Sequence, residues 1–383
     1  MIRRISSGRQ VSRRRFLVGA GAASAALLSA CVVQPPPAAT PSAQAERAAT
    51  PLAAAPTTAP ATSALDVVFK RQVSGYPAYD NIALIDILQD KGNTLRVAHK
   101  YGEIEIPKAP KRLVVDHGLL EVCISLGIKP LAAVVYGEVP EFVKDKLDGI
   151  EIISGGDVVN IETIAALKPD LLIGQFYFGG FDEGVFKNFS NIAPTVILRE
   201  LPHWSLVTRD MAKLLSKQTE AEALFAGYTQ KLDAAQAQMQ PVVGDGTVAM
   251  LQVLPENFYL TGPGAESNGK FLPAYFGTFL YRDLGFKPAP IITKLVGKQE
   301  VVEFSFEKLP EIDADVLLVV PTSRPGSVIQ EQEIYKKLTG SPLFKAIPAV
   351  KAGKSFELGP VPESYFATLD FVARLAEMMT KKA

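Results

Sequence analysis

Ile161-Glu162-Thr163-Ile164-Ala165-Ala166-Leu167-Lys168-Pro169-Asp170-Leu171-Leu172-Ile173 returns, at a constant offset of 145, as Phe306-Glu307-Lys308-Leu309-Pro310-Glu311-Ile312-Asp313-Ala314-Asp315-Val316-Leu317-Leu318. Each stretch reads as a short helix feeding an apolar strand, and the glutamate, the aspartate and every large apolar position coincide. Two copies of one design are therefore expected. Around the first copy the chain alternates short β-rich runs with helical periods: a hairpin over 94–98 and 103–106, a strand over 112–115, a helix over 117–126 stopped at Gly127, and strands over 131–135, 170–173 and 195–198. A Gly-poor stretch over 219–239 spaces Leu224, Tyr228, Leu232, Ala235 and Met239 by three or four, and spans about 30 Å as a helix. Around the second copy come strands over 247–253, 258–260 and 315–320, helices over 271–284 and 329–338, and a closing helix over 365–379. The fold class predicted is α/β, with two Rossmann-like lobes joined by a single long helix and a ligand cleft between them.

Upstream of the lobes stand two segments of another kind. Ser12-Arg13-Arg14-Arg15-Phe16-Leu17-Val18 resembles a twin-arginine export signal, and Leu28-Ser29-Ala30-Cys31 resembles a lipobox, at which Cys31 would be lipidated and the signal cleaved. The uncharged run between them, about 15 residues, is short of the roughly 20 that a membrane-crossing helix takes. Residues 32–64 hold seven prolines and twelve alanines, a composition that buries no core and reads as an extended tether. The expected organisation is signal 1–31, tether 32–64, first lobe 65–217, interlobe helix 218–240 and second lobe 241–383.

Composition removes several function classes. The chain of 383 residues carries 40 basic and 40 acidic side chains, and the six charges before Cys31 are all arginine, so the cleaved protein is mildly acidic, which argues against nucleic acid as a partner. Two cysteines, one of them Cys31, leave Cys123 in an apolar setting with no disulfide possible. His99, His117 and His203 show no metal-ligating spacing. Gly264 to Lys270 spells G-x-x-x-x-G-K, but Phe271 follows where a phosphate loop needs Ser or Thr. No nucleophile elbow or zinc helix is present, so no catalytic residue is assigned. An exported, lipid-anchored hydrolase is the alternative from another class.

Polar and aromatic residues gather where the expected strands end, the place where open α/β sheets bind ligands. His117, Gln175, Tyr177 and Trp204 are the candidates in the first lobe; Tyr259, Asn268, Arg324 and Tyr365 are those in the second. Each could instead pack on its own lobe. Arg324, just beyond an apolar strand, is the candidate grip for an anionic group.

Several segments, in order, resemble the solute-binding lipoproteins that deliver ferric siderophores, haem or cobalamin to ABC importers. They are Gly102 to Pro107 with Pro110 to Val115, Leu126 to Leu131, Ile161 to Ile173, and Ile347 to Lys354. The resemblance implies no enzyme and no resident cofactor. It implies an Fe(III)–siderophore complex as ligand, with cobalamin or haem as alternatives, and a monomer held by lipid on Cys31 at the outer face of the cytoplasmic membrane or in the periplasm. It also implies that an exposed glutamate on each lobe docks on the ABC permease; carried over, these are Glu162 and Glu307, the pair shared by the two echoing segments. A chelated iron brings its own ligands, so no metal site is expected of the protein.

Overall fold

In the computed structural model the two echoing segments do the same mechanical job in two separate sheets. The structure describes residues 63–70, 82–135, 138–139, 141–155, 160–175, 183–199, 203–253, 258–267, 270–273, 277–296, 301–321, 328–359 and 364–382. They lie within one compact unit running from Ala59 to Ala383. Cys31, the export signal, most of the tether, Tyr177, Asn268 and Arg324 lie outside the described residues.

The chain opens with α1 (Ala64–Phe69), so Ser63 and Ala64, at the end of the expected tether, already belong to a capped helix. Glu222 receives the amides of Ala64 at 2.8 Å and Leu65 at 3.3 Å, satisfying donors that a helix start leaves without partners. Strands β1 (Asp86–Asp90), β2 (Thr94–His99) and β3 (Gly102–Pro107) form an antiparallel sheet. His99 Nδ1 accepts the Ile197 amide at 3.2 Å, which docks this sheet on the first lobe.

That lobe is a five-stranded parallel sheet of order β6-β5-β4-β7-β8, from β4 (Leu113–Asp116), β5 (Ala132–Val135), β6 (Glu151–Ser154), β7 (Leu171–Gly174) and β8 (Thr195–Ile197). Helices α2 (His117–Ser125), α3 (Ile161–Ala166), α4 (Glu183–Ser190) and α5 (Trp204–Leu214) connect and cover it. Gly127, at φ +67°, ends α2 where expected, and the Ile128 amide returns to Cys123 O at 2.8 Å. The 26-residue α6 (Gln218–Val243) then leads into the second lobe.

There β9 (Thr247–Val253), β10 (Phe258–Thr261), β11 (Gly264–Ser267), β12 (Lys270–Pro273), β13 (Lys287–Pro288), α7 (Pro290–Val296), β14 (Val301–Phe304), β15 (Val316–Pro321), α8 (Val328–Gly340), α9 (Pro342–Lys345), α10 (Pro348–Lys351), β16 (Ser355–Glu357) and α11 (Tyr365–Lys382) follow. The main sheet runs β14-β10-β9-β15-β16, with β13 beside the start of β9. Strands β11 and β12 pair as a hairpin with Ser267 opposite Lys270, so G-x-x-x-x-G-K is not a strand–loop–helix cradle. The helix expected over 271–284 is replaced by β12 and a π-helical turn, Phe279–Asp283. Its aromatic and Leu spacing imitates a helical stripe, but Pro273 cannot donate a helix-interior hydrogen bond.

The echo has a physical cause. Asp170 accepts the amides of Lys111 at 2.7 Å and Arg112 at 2.9 Å, while its own amide donates to Arg112 O at 3.1 Å. Asp315 accepts the Thr247 amide at 2.7 Å and hydroxyl at 2.9 Å, and its amide donates to Thr247 O at 3.1 Å. Each aspartate thus ties the strand it introduces to the start of the central strand. Register follows: Leu171 pairs Leu113, and Val316 pairs Val248.

Alternate residues of these strands enter different cores, as the two-residue period dictates. Leu113, Val115, Leu171 and Ile173 join Val248, Met250, Val316 and Leu318 in one cluster with α2, α5, α6 and α11, whereas Val114 and Leu172 face a core of the first lobe and Ala249 and Leu317 one of the second. The lobes share an interior. Within it Arg282, fully buried on the π-helical turn, pairs with Asp283 at 2.5 Å and reaches Ser205 Oγ of α5 at 3.3 Å, while Tyr228 of α6 donates to Asp283 at 2.6 Å. The Phe69 ring lies 5.0 Å from the Arg209 guanidinium and 5.8 Å from that of Arg282, and edge-on to Phe225 at 5.6 Å. A buried pair broken on one side strands a charge. Arg282→Met should therefore lower the free energy of unfolding in guanidinium by roughly 3–5 kcal/mol, whereas Arg282→Met with Asp283→Leu should recover more than half of that loss.

Candidate functional site

In the first sheet the chain leaves β4 for β5 on one side and returns to β7 on the other, so the strand order reverses between β4 and β7. Such a reversal opens a crevice at the carboxyl ends of the two strands. Asp116 ends β4, His117 opens α2, and Gln175 is the first residue past β7. The crevice thus brings together two of the predicted ligand residues. Asp116 Oδ2 accepts the Gln175 amide, and a Cβ at Gly118 would collide with Gln175 Oε1, so the glycine makes room for the glutamine side chain. His117 Nδ1 is buried with no hydrogen-bond partner, and burial lowers the pKa of its half-buried ring. Burial pushes the Asp116 carboxyl up to about 7, against the pull of the Gln175, Leu119 and Gly118 amides.

The second sheet repeats the reversal between β9 and β15. Tyr259 lies inside β10, half-buried and opposite Gln252 and Glu303, within the strand expected over 258–260. Trp204 and Tyr365 meet edge to face at 5.4 Å although they sit on α5 and α11. Trp204 is only 3% exposed, stacks on Phe225 at 5.8 Å and meets Tyr228 at 5.0 Å, and its indole Nε1 has no partner. Tyr365 is half-buried and its hydroxyl pKa is raised by burial. His203, the N-cap of α5, accepts the Ser205 amide at 3.4 Å, and burial, with the Arg282 charge beside it, lowers its pKa to about 3.

Glu162 and Glu307 are both exposed, each in the first turn of the helix leading into the strand beside its crevice. Asn160 caps the first of these helices through the Thr163 amide at 3.1 Å. Cys123 is buried and desolvation pushes its thiol up to about 12, which leaves it unreactive. No helix of the described residues is long and apolar enough to cross a membrane. Sequence reasoning missed the Arg282–Asp283 pair. Its signal is an Arg-Asp dipeptide inside the apolar run Phe279-Leu280-Tyr281-Arg282-Asp283-Leu284.

The sequence profile of the periplasmic binding proteins matches residues 138–362, more than half of the chain. The protein belongs to that family. Among curated relatives, the iron(3+)-hydroxamate-binding protein FhuD of Bacillus subtilis is 28% identical over 295 residues, covering 73% of this chain and 84% of that protein. The probable siderophore-binding lipoprotein YfiY of the same species is 29% identical over 280 residues, covering 70% and 81%. Among solved structures, Staphylococcus aureus SirA complexed with staphyloferrin B superposes with a TM-score of 0.60 at 27% identity, covering 74% of this chain and 97% of that one. A periplasmic binding protein works by holding a ligand for an ABC transporter. The two-lobed α/β expectation and the resemblance drawn from the sequence both stand.

Buried titratable groups give this site a pH signature. His203, and His99 whose ring burial lowers to about 4, stay neutral when folded but charge near 6.5 when unfolded, so their stabilisation is lost as pH falls below 6.5. Asp116 acts oppositely: its folded pKa lies above the unfolded 3.8, so its contribution is full below that value and lost as pH rises towards 7. Between pH 4.5 and 6.5 Asp116→Asn should steepen the rise of stability with pH by about 1.4 kcal/mol per pH unit over the parent, measured by urea unfolding. Parallel profiles would contradict this assignment.

Proposed function

We propose that this protein captures a ferric siderophore outside the cytoplasm and hands it to an ABC importer, tethered to the membrane by lipid on Cys31. One observation carries the reading most directly: similarity to the solved complex of Staphylococcus aureus SirA with staphyloferrin B extends over 97% of that protein's length, and so over both lobes and both crevices. Relatives named for iron–hydroxamate and siderophore binding support the same ligand class. The ligand supplies iron coordination through its own oxygens, leaving the protein to provide aromatic walls and cations. Tyr365, Trp204 and Tyr259, with His117 and Gln175, are the described candidates; Tyr177, Asn268 and Arg324 complete the set proposed from sequence.

Delivery requires a surface that the permease reads. Glu162 and Glu307 fit this role because they are exposed, duplicated by the internal echo and placed beside the two crevices. An exported lipoprotein with a twin-arginine signal and a Pro/Ala tether would be held near its permease, consistent with the arrangement 1–31, 32–64, 65–217, 218–240 and 241–383. Quenching of Trp204 fluorescence by ferric staphyloferrin B, ferrichrome or ferrioxamine B tests the ligand reading, with a saturable response to at least one expected. Charge reversal tests docking. Glu162→Arg with Glu307→Arg should reduce iron uptake at least tenfold while leaving the dissociation constant within about twofold; undiminished uptake would rule out these two contacts.

A further inference from the structure

Asp116 has no acidic counterpart in the second lobe. In the second lobe Leu251 holds the matching register, since Val115 pairs Ile173 as Met250 pairs Leu318 across the 145-residue echo. An apolar residue serves there. In the first lobe the same place holds a carboxyl only 6% exposed, close to Val114, Val134, Leu172, Ile173, Phe189 and Ile197. A buried acid with no cation beside it among the described residues costs stability, so a role beyond folding is the natural place to look.

The groups facing it are few. From β7 comes the Gln175 amide, donating to Oδ2; from α2 come the amides of Gly118 and Leu119, the neutral Cys123 thiol and the neighbouring His117; from β8 comes Thr195, whose hydroxyl already donates to Ala193 O at 2.9 Å. Among the described residues no Lys or Arg pairs with it, and its Oδ1 has no hydrogen-bond partner. One carboxyl therefore bridges the strand end and the helix start that carry Gln175 and His117, with no counter-ion among the described residues to hold its charge constant.

We propose that Asp116 is a positioning residue for the binding crevice, tying the chain at Gln175 to the start of α2 and thereby setting, in a proton-linked way, how tightly an anionic ferric chelate is held. The inference rests on the ferric-siderophore reading. In a low-dielectric setting an ionised Asp116 would repel an anionic ligand above it, whereas the neutral acid would not. The folded pKa of about 7 places this change within the range of extracytoplasmic pH.

Two readouts test this, one of them without ligand. In the full mature chain, Asp116→Ala should speed hydrogen exchange of the Gln175 amide at least tenfold and weaken binding of ferric staphyloferrin B at least tenfold. Asp116→Asn, which keeps an acceptor but cannot ionise, should bind within about threefold of the parent at pH 6 and lose the parent's several-fold decline in affinity between pH 6 and 8. Unchanged Gln175 exchange, or unchanged affinity in the alanine variant, overturns the proposal. Should that variant not fold, the asparagine variant decides: a pH profile parallel to the parent's overturns it, and a flat one supports it. If the parent binds none of ferric staphyloferrin B, ferrichrome, ferrioxamine B and ferri-bacillibactin, the ligand reading fails and the chelate part of this proposal with it. The Gln175 exchange rate still judges the clamp on its own.

Discussion

Two carboxylates, Asp170 and Asp315, set the frame on which the molecule depends. Each accepts an amide at the start of its lobe's central strand, and each returns its own amide to the carbonyl there. A charged acceptor on backbone N–H groups makes a strong, directional bond, and it helps to fix strand register. Register then decides everything above it. It sends Leu113 and Val115 to the interior shared by the lobes and Val114 to the other face, and it sets the carboxyl ends of β4 and β7 side by side. The crevice is a consequence of where the strands are pinned.

The second constraint is that the lobes are not independent. Apolar residues of both sheets, α5, α6 and α11 form one cluster, and the Arg282–Asp283 pair inside it bonds to α5 and α6 at once. A wide rotation of one lobe against the other would open that interior and strand a buried ion pair, at a cost of several kcal/mol. Ligand capture in this protein is thus compatible with modest adjustment around a rigid centre. Helix α1 adds to that centre, because Phe69 covers both Arg209 and Arg282.

What the sequence revealed follows from how far each signal reaches along the chain. The echo, the long helix α6 and the Gly127 stop are local patterns with a period or a backbone cause, and they appear in the structure within a few residues of where they were read. His117 and Gln175 were legible for a topological reason, since strand ends in a parallel sheet share an edge. Strand β1 left no trace because all five of its residues are exposed and show no alternation. The run 271–284 misled because its aromatic spacing imitates a helix while Pro273 and the π-helical turn divide it. The meeting of Trp204 with Tyr365, and the covering of Arg282 by Phe69, join residues more than 150 positions apart, and no short-range pattern records them. Asp116 directly follows the strand read over 112–115, yet the lack of a counter-ion for it among the described residues is a property of the packed lobe alone.

The central claim is that a ferric chelate sits between the carboxyl ends of β4 and β7 in one lobe and those of β9 and β15 in the other. The most direct measurement is an iron anomalous-difference map from crystals grown with ferric staphyloferrin B. The account predicts one strong peak in that space, within reach of Tyr365 and the His117–Gln175 edge. A peak elsewhere on the protein, or bound chelate lying only against the outer surface of one lobe, would contradict it.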